Sequence, residues 1–126
     1  MTSEIGIEKV PKLMDFSRRA MNEESVKTLQ TIKQYIEKIG SVKHIILFGS
    51  RAQGTYREDS DYDILLITEN NLALEEKRKL ANRIIADLSR QKIDVDILLK
   101  NMDDVLKVYQ KPFSIVKSAL ETGVLI

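Results

Sequence analysis

Residues 44–67, HIILFGSRAQGTYREDSDYDILLI, constrain the fold of this chain more than any other stretch. They open and close with apolar runs of the length and composition that predict buried β-strands. Between the runs lie two glycines, a serine and a cluster of acids, which favour a turn over a continuous strand. The stretch therefore predicts two strands joined by a polar segment that opens as a turn or short helix over 49–54.

Apolar residues recur at helical or strand spacing on both sides of this stretch. The first helix has Asn22 as its N-cap and ends at Gly40, and the last is started by Pro112 and capped by Gly123. The predicted helices cover 23–39, 73–89, 102–109 and 113–120, and the predicted strands cover 43–48, 61–67 and 93–99.

Composition limits the classes of protein to consider. A chain of 126 residues with 43% hydrophobic residues has room for one core. We predict an N-terminal arm over 1–22, with a short helix within 13–21, followed by one domain over 23–126. The 20 basic and 19 acidic residues give a net charge of +1, so there is no strong nucleic-acid signal.

Cysteine is absent, which excludes disulfides, cysteine-bound zinc and thiol nucleophiles. Apolar runs of about 18 residues and a signal-like start are also lacking in the sequence, so we expect a cytoplasmic protein without a membrane segment.

Asp61 and Asp63 are two residues apart at the start of the second predicted strand. Side chains at this spacing share one face of a strand, about 6.5–7 Å from each other, while Tyr62 points away. Two carboxylates on one face repel, and a cation between them relieves the repulsion. Oxygen ligands of high charge suit magnesium or manganese. The alternative interpretation is a solvated acidic turn at the entrance of an edge strand.

Gly49 and Ser50 directly follow the first of these strands. Backbone N–H groups and a small hydroxyl at such a position can bind phosphate oxygens, and Arg51 can add charge or a bidentate phosphate contact. The glycine spacing resembles a Walker loop, but the Lys-Ser/Thr pair that should follow is missing. Together with the carboxylate pair, the turn predicts a site that holds phosphate on one side and metal on the other.

The segment LFGSRAQGTYREDSDYDILLI resembles the signature of the nucleotidyltransferase superfamily that includes DNA polymerase beta, and most closely that of its minimal (MNT-type) members. Gly49, Ser50, Asp61 and Asp63 match the pattern of Gly-Ser followed by Asp-x-Asp. The C-terminal PFSIVKSALETGVLI resembles the last helix and strand of many minimal members, whereas Gln53 replaces a common arginine. The resemblance implies an α+β fold in which a mixed sheet packs against helices.

The resemblance also implies a chemistry. In the family a third acid lies on a later strand, and the spacing favours Asp96 over Asp94. Ser50 would hold the β- and γ-phosphates of ATP, Asp61 and Asp63 would bind Mg²⁺, and Asp96 would complete a second Mg²⁺ site and take a proton from the acceptor hydroxyl.

Minimal members are commonly paired with a helical HEPN-type toxin, to whose tyrosine they attach AMP. The resemblance therefore favours a protein adenylyltransferase that acts as the antitoxin of such a pair. Transfer to a small molecule such as an aminoglycoside, and a non-catalytic antitoxin that acts by binding alone, are the alternatives. The sequence leaves open the acceptor, the base of the nucleotide and whether the chain forms a homo-oligomer.

Overall fold

The computed structural model describes residues 14–15, 22–109, 111 and 114–126. The helices are α1 (Glu23–Ile39), α2 (Gly49–Gln53), α3 (Leu74–Ser89), α4 (Met102–Tyr109) and α5 (Ile115–Thr122). The strands are β1 (Met14–Asp15), β2 (Val42–Phe48), β3 (Tyr62–Thr68), β4 (Val95–Asn101) and β5 (Val124–Leu125).

The five strands form one mixed sheet in the order β1-β5-β2-β3-β4. β2 runs antiparallel to both of its neighbours, β3 and β5. β3 pairs parallel with β4, and β1 pairs parallel with β5. The predicted α+β class with a mixed sheet is thereby confirmed.

Helices cover the sheet on both faces. Ile64 and Leu66 of β3 belong to a buried cluster with residues of α1 and α3. Leu65 and Ile67 belong to a second buried cluster, with residues of α4 and α5. Because both faces are covered, the strand is an unbroken apolar run rather than an alternating one. Alternation along β3 places Asp63 on the α4/α5 face of the sheet.

Most predicted elements lie within one or two residues of their observed bounds. α1 matches the prediction, and the Asn22 side chain accepts a hydrogen bond from the Ser25 backbone as an N-cap should. β4 begins at Val95 rather than at 93, because the chain is still turning after α3. Lys92 has a positive φ of 64°, and the amide of Ile93 donates back to Leu88.

The last helix also begins later than predicted. Ser114 is its N-cap and accepts hydrogen bonds from the amides of Val116 and Lys117. Pro112 lies outside the described residues. The predicted short helix within 13–21 lies outside them as well, except for Met14–Asp15, which form β1.

Among the helices of the described residues, none combines the length and the hydropathy that a membrane span requires.

Candidate active site

Asp63 and Asp96 are neighbours in the sheet. They face each other in the parallel register of β3 and β4, near the first residue of each strand, so their side chains lie on the same face. Asp63 is half-buried and Asp96 is exposed. Asp61 is exposed and lies one residue before β3, although the predicted strand began at this residue.

The charges of these three carboxylates interact. Burial raises the pKa of the Asp63 carboxyl, and the negative charges of Asp96 and Asp61 raise it further. Asp94, the alternative third acid, is not among the groups that shift the Asp63 pKa. Its backbone carbonyl instead accepts a hydrogen bond of 2.9 Å from the amide of Tyr62. The structure therefore brings Asp61, Asp63 and Asp96 together.

The Asp63 carboxylate occupies the space that a side chain at Gly49 would fill. Phe48 is the cross-strand partner of Asp63, and Gly49 follows it with a positive φ of 73°. A Cβ atom at this position would lie 2.1 Å from Oδ2 of Asp63. Only glycine therefore fits here without moving the carboxylate. Ser50 is the next residue, so the Gly-Ser pair that was predicted to bind phosphate lies directly beside the acids.

Arg51 has other partners than the predicted phosphate. Its Nε and Nη2 atoms donate to the carbonyl of Ser60 at 3.2 and 3.0 Å, and Nη2 also donates to the carbonyl of Glu58 at 3.1 Å. Its guanidinium carbon lies 4.4 Å from the ring centroid of Tyr56 and 4.3 Å from that of Tyr62. These contacts hold the guanidinium within the protein. No local pattern in the sequence pairs Arg51 with these two tyrosines, so the arrangement was not predicted.

The acid cluster is not a closed metal cage. In the part of the chain that the structure describes, no group of three or more His, Cys, Asp or Glu side chains is arranged to hold a metal ion by itself. Mg²⁺ commonly binds through one or two carboxylates together with waters and substrate phosphates. Repelling carboxylates, one of them half-buried, fit a cation that is shared with a bound triphosphate.

A mixed sheet that carries an acid cluster beside a Gly-Ser pair is the arrangement of a nucleotidyltransferase. The family model described as "Polymerase beta, Nucleotidyltransferase" matches residues 30–126. The chain belongs to this family, as one of its minimal members, and is a nucleotidyltransferase.

Two relatives from Methanocaldococcus jannaschii bear the name "Putative protein adenylyltransferase". One is 36% identical over 76 residues, which are 56% of this chain and 73% of the relative. The other is 44% identical over 52 residues, which are 37% of this chain and 47% of the relative.

A solved structure shares the fold. A "putative nucleotidyltransferase from Sulfolobus solfataricus" aligns with a TM-score of 0.54 and 20% identity, over 79% of this chain and 76% of that chain. A structure described as a "toxin-antitoxin with AMP-PNP" aligns with a TM-score of 0.48 and 24% identity, over 78% of this chain and 70% of that chain.

Proposed function

We propose that this chain transfers AMP from ATP to a hydroxyl group of a protein, most specifically to a tyrosine of a HEPN-type toxin that it neutralises. The observation that carries the proposal is the half-buried Asp63 carboxylate, which lies against Gly49 and close to Asp61 and Asp96. The names of the two archaeal relatives support a protein acceptor. The signature of minimal family members in residues 47–67 supports the HEPN-type partner.

The proposed roles combine the family resemblance with the positions of the three acids and of the Gly-Ser pair. Asp61 and Asp63 hold Mg²⁺ together with the triphosphate, and Ser50 binds the β- and γ-phosphates. Two bound Mg²⁺ ions would neutralise the charge on the attacking and leaving oxygens. Asp96 is exposed and lies beside Asp63 on the neighbouring strand, so it can reach an incoming acceptor, help hold the second ion and take the proton of the hydroxyl group.

The reaction is a displacement at the α-phosphorus. The acceptor oxygen forms a bond to this phosphorus, the bond to the β-phosphate breaks, and pyrophosphate leaves. The proton of the acceptor passes to Asp96 and from there to solvent. The chain thus has to hold the triphosphate in line with the acceptor while the acid cluster stays ionised.

Calorimetric titration with ATP tests the binding part of this proposal. ATP binding by the wild-type chain should depend on Mg²⁺. This Mg²⁺-dependent binding should be lost in Asp61→Asn/Asp63→Asn. Asp59→Asn is the matched control, because Asp59 is an exposed acid of the same segment that does not shift the Asp63 pKa. Equal ATP affinity in the double variant and the control would contradict the metal site.

Asp96→Asn separates binding from catalysis. The substitution keeps the size of the side chain but removes the proposed base, for which a loss of about 10²- to 10⁴-fold in rate is typical. The variant should still bind Mg²⁺-ATP and the partner but add no AMP to it, as measured by intact mass. A partner that wild type protects without modification would favour an antitoxin that acts by binding. Modification of an aminoglycoside instead would favour the small-molecule alternative.

A further inference from the structure

We propose that Arg51 is a positioning residue that fixes Asp61 and Asp63 at the metal site, and that it is not a phosphate ligand. The inference rests on the proposed function. It starts from the place of the guanidinium group, which contacts the chain on both sides of Asp61. The Ser60 carbonyl accepts its hydrogen bonds immediately before Asp61, and the Tyr62 ring stacks on it immediately after.

The segment before Asp61 is a compact turn that Arg51 closes. The amide of Arg57 donates to Oγ of Ser60 at 2.8 Å, and the amide of Ser60 donates back to the carbonyl of Arg57 at 3.1 Å. The carbonyls of Glu58 and Ser60 are the acceptors for Arg51. The planar guanidinium therefore fixes the end of this turn. Asp61 is the next residue, so its position before β3 is fixed as well.

The position of Tyr62 determines that of Asp63, which follows it in β3. Tyr62 is buried, with 7% of its surface exposed, and packs with the cluster that includes α1 and α3. Asp63 is the next residue and lies on the opposite face of the sheet. Displacing the Tyr62 ring would rotate the first residues of β3, and the carboxylates on the far face would move with them.

The ring of Tyr56 connects the Arg51 guanidinium group to α1. The hydroxyl of Tyr56 accepts a hydrogen bond of 2.5 Å from Nδ2 of Asn22, whose Oδ1 caps the first turn of α1 at the Ser25 amide. Arg51 thus lies between a ring fixed to a helix and a ring fixed in the sheet. Lysine would keep the charge but would lose the fork of donors and the planar stacking that both contacts use.

Titration of ATP binding against Mg²⁺ distinguishes a positioning residue from a phosphate ligand. In Arg51→Lys we expect the affinity for ATP in EDTA to stay within about twofold of wild type. The Mg²⁺ concentration that half-saturates ATP binding should rise roughly 10- to 100-fold, the usual effect of losing a residue that orients metal ligands. Arg57→Lys, an exposed arginine of the same turn, is the matched control and should leave both values unchanged.

Two variants of Tyr62 keep the test decisive if Arg51→Lys does not fold. Tyr62→Leu removes the stacked ring and should raise the half-saturating Mg²⁺ concentration as Arg51→Lys does. Tyr62→Phe keeps the ring and should leave that concentration at the wild-type value. Weaker ATP binding in EDTA with an unchanged Mg²⁺ requirement in Arg51→Lys would make Arg51 a phosphate ligand. An unchanged Mg²⁺ requirement in both Arg51→Lys and Tyr62→Leu would also overturn the inference. Absence of Mg²⁺-dependent ATP binding in wild type would overturn the proposed function itself.

Discussion

Gly49 is the residue on which the position of the Asp63 carboxylate depends most directly. Gly49→Ala would place a methyl group on the Oδ2 atom of Asp63 and would impose a positive φ on alanine. We expect it to lower the free energy of unfolding by about 1–3 kcal/mol and to abolish Mg²⁺-dependent ATP binding. Urea unfolding and calorimetric titration measure the two effects.

Gly54→Ala is the matched control for this substitution. Gly54 also has a positive φ, of 79°, but its Cβ would meet no atom within 4 Å. The control should lose about 1–2 kcal/mol for the backbone conformation and still bind Mg²⁺-ATP. Equal ATP binding in the two alanine variants would show that the close approach of Gly49 to Asp63 has no role in the site.

Asp63 should weaken the stability of the metal-free chain. Its pKa is raised in the folded state, by burial first and then by Asp96 and Asp61. A carboxyl of this kind favours the folded state below its unfolded pKa, and that contribution is lost as pH rises through the folded pKa. Asp63→Asn should therefore stabilise the metal-free chain near neutral pH, by about 1 kcal/mol at most, because solvent screens the charges of partly exposed carboxylates.

Thermal unfolding in EDTA at neutral pH and at pH 4 measures this effect. The gain in melting temperature of Asp63→Asn over wild type should be larger at neutral pH, where the carboxylate is charged. A variant that is less stable than wild type at both pH values would contradict the like-charge account.

At residue scale, the family resemblance favoured Asp96, and the register of β3 and β4 puts this residue beside Asp63. The predicted strand position of Asp61 was wrong, because β3 begins at Tyr62. Arg51 differed because its partners come from the folded turn and from Tyr56 and Tyr62, which no local pattern pairs with it. The roles of these residues in catalysis remain predictions.

At the scale of elements, Tyr35 and Asp87 connect α1 to α3. The Tyr35 hydroxyl donates to Oδ2 of Asp87, which also interacts with Arg90 and Arg83. Burial, followed by the hydrogen bond and the charge of Asp87, raises the pKa of Tyr35 to about 12. The hydrogen bond from Tyr35 is the main cause that lowers the pKa of Asp87.

Tyr35→Phe tests this connection. The Tyr35 hydroxyl stabilises the folded state below its ordinary pKa of 10. This stabilisation is lost as pH rises toward 12, because the pKa is higher in the folded state than in the unfolded state. The variant should be less stable than wild type at pH 8, and the difference should shrink between pH 10 and 12. Urea midpoints at these pH values measure it, and a constant difference would contradict the account.

Elements with strong periodicity were predicted most closely. α1 matches residue for residue, because its apolar spacing, N-cap and terminal glycine agree. The beginning of β4 was missed because the positive φ of Lys92, one of only two non-glycine residues with positive φ in the described part of the chain, extends the turn after α3. β1 was also missed, since a strand of two residues is too short to show a pattern.

At the scale of the whole molecule, the helices cover the two faces of the sheet, and the candidate site lies at the end where β3 and β4 begin. α1 and α3 cover one face, α4 and α5 cover the other, and the acids lie where β3 and β4 begin. Mg²⁺-ATP should therefore stabilise the whole fold, by about 2.7 kcal/mol at a hundredfold excess over its dissociation constant. Thermal unfolding should show this gain in wild type and its loss in Asp61→Asn/Asp63→Asn. An equal gain in both chains would contradict binding through these acids.

The central claim is that a nucleotide, and not a phosphate, passes from ATP to a protein. The most direct measurement incubates the chain and Mg²⁺ with a HEPN-type protein from the same genome and ATP labelled at either the α- or the γ-phosphate. We predict that the HEPN-type protein acquires the α-label, but no γ-label, together with release of pyrophosphate, and that Asp96→Asn prevents the labelling. Transfer of the γ-label, or protection of the toxin by wild type without any label, would contradict the account.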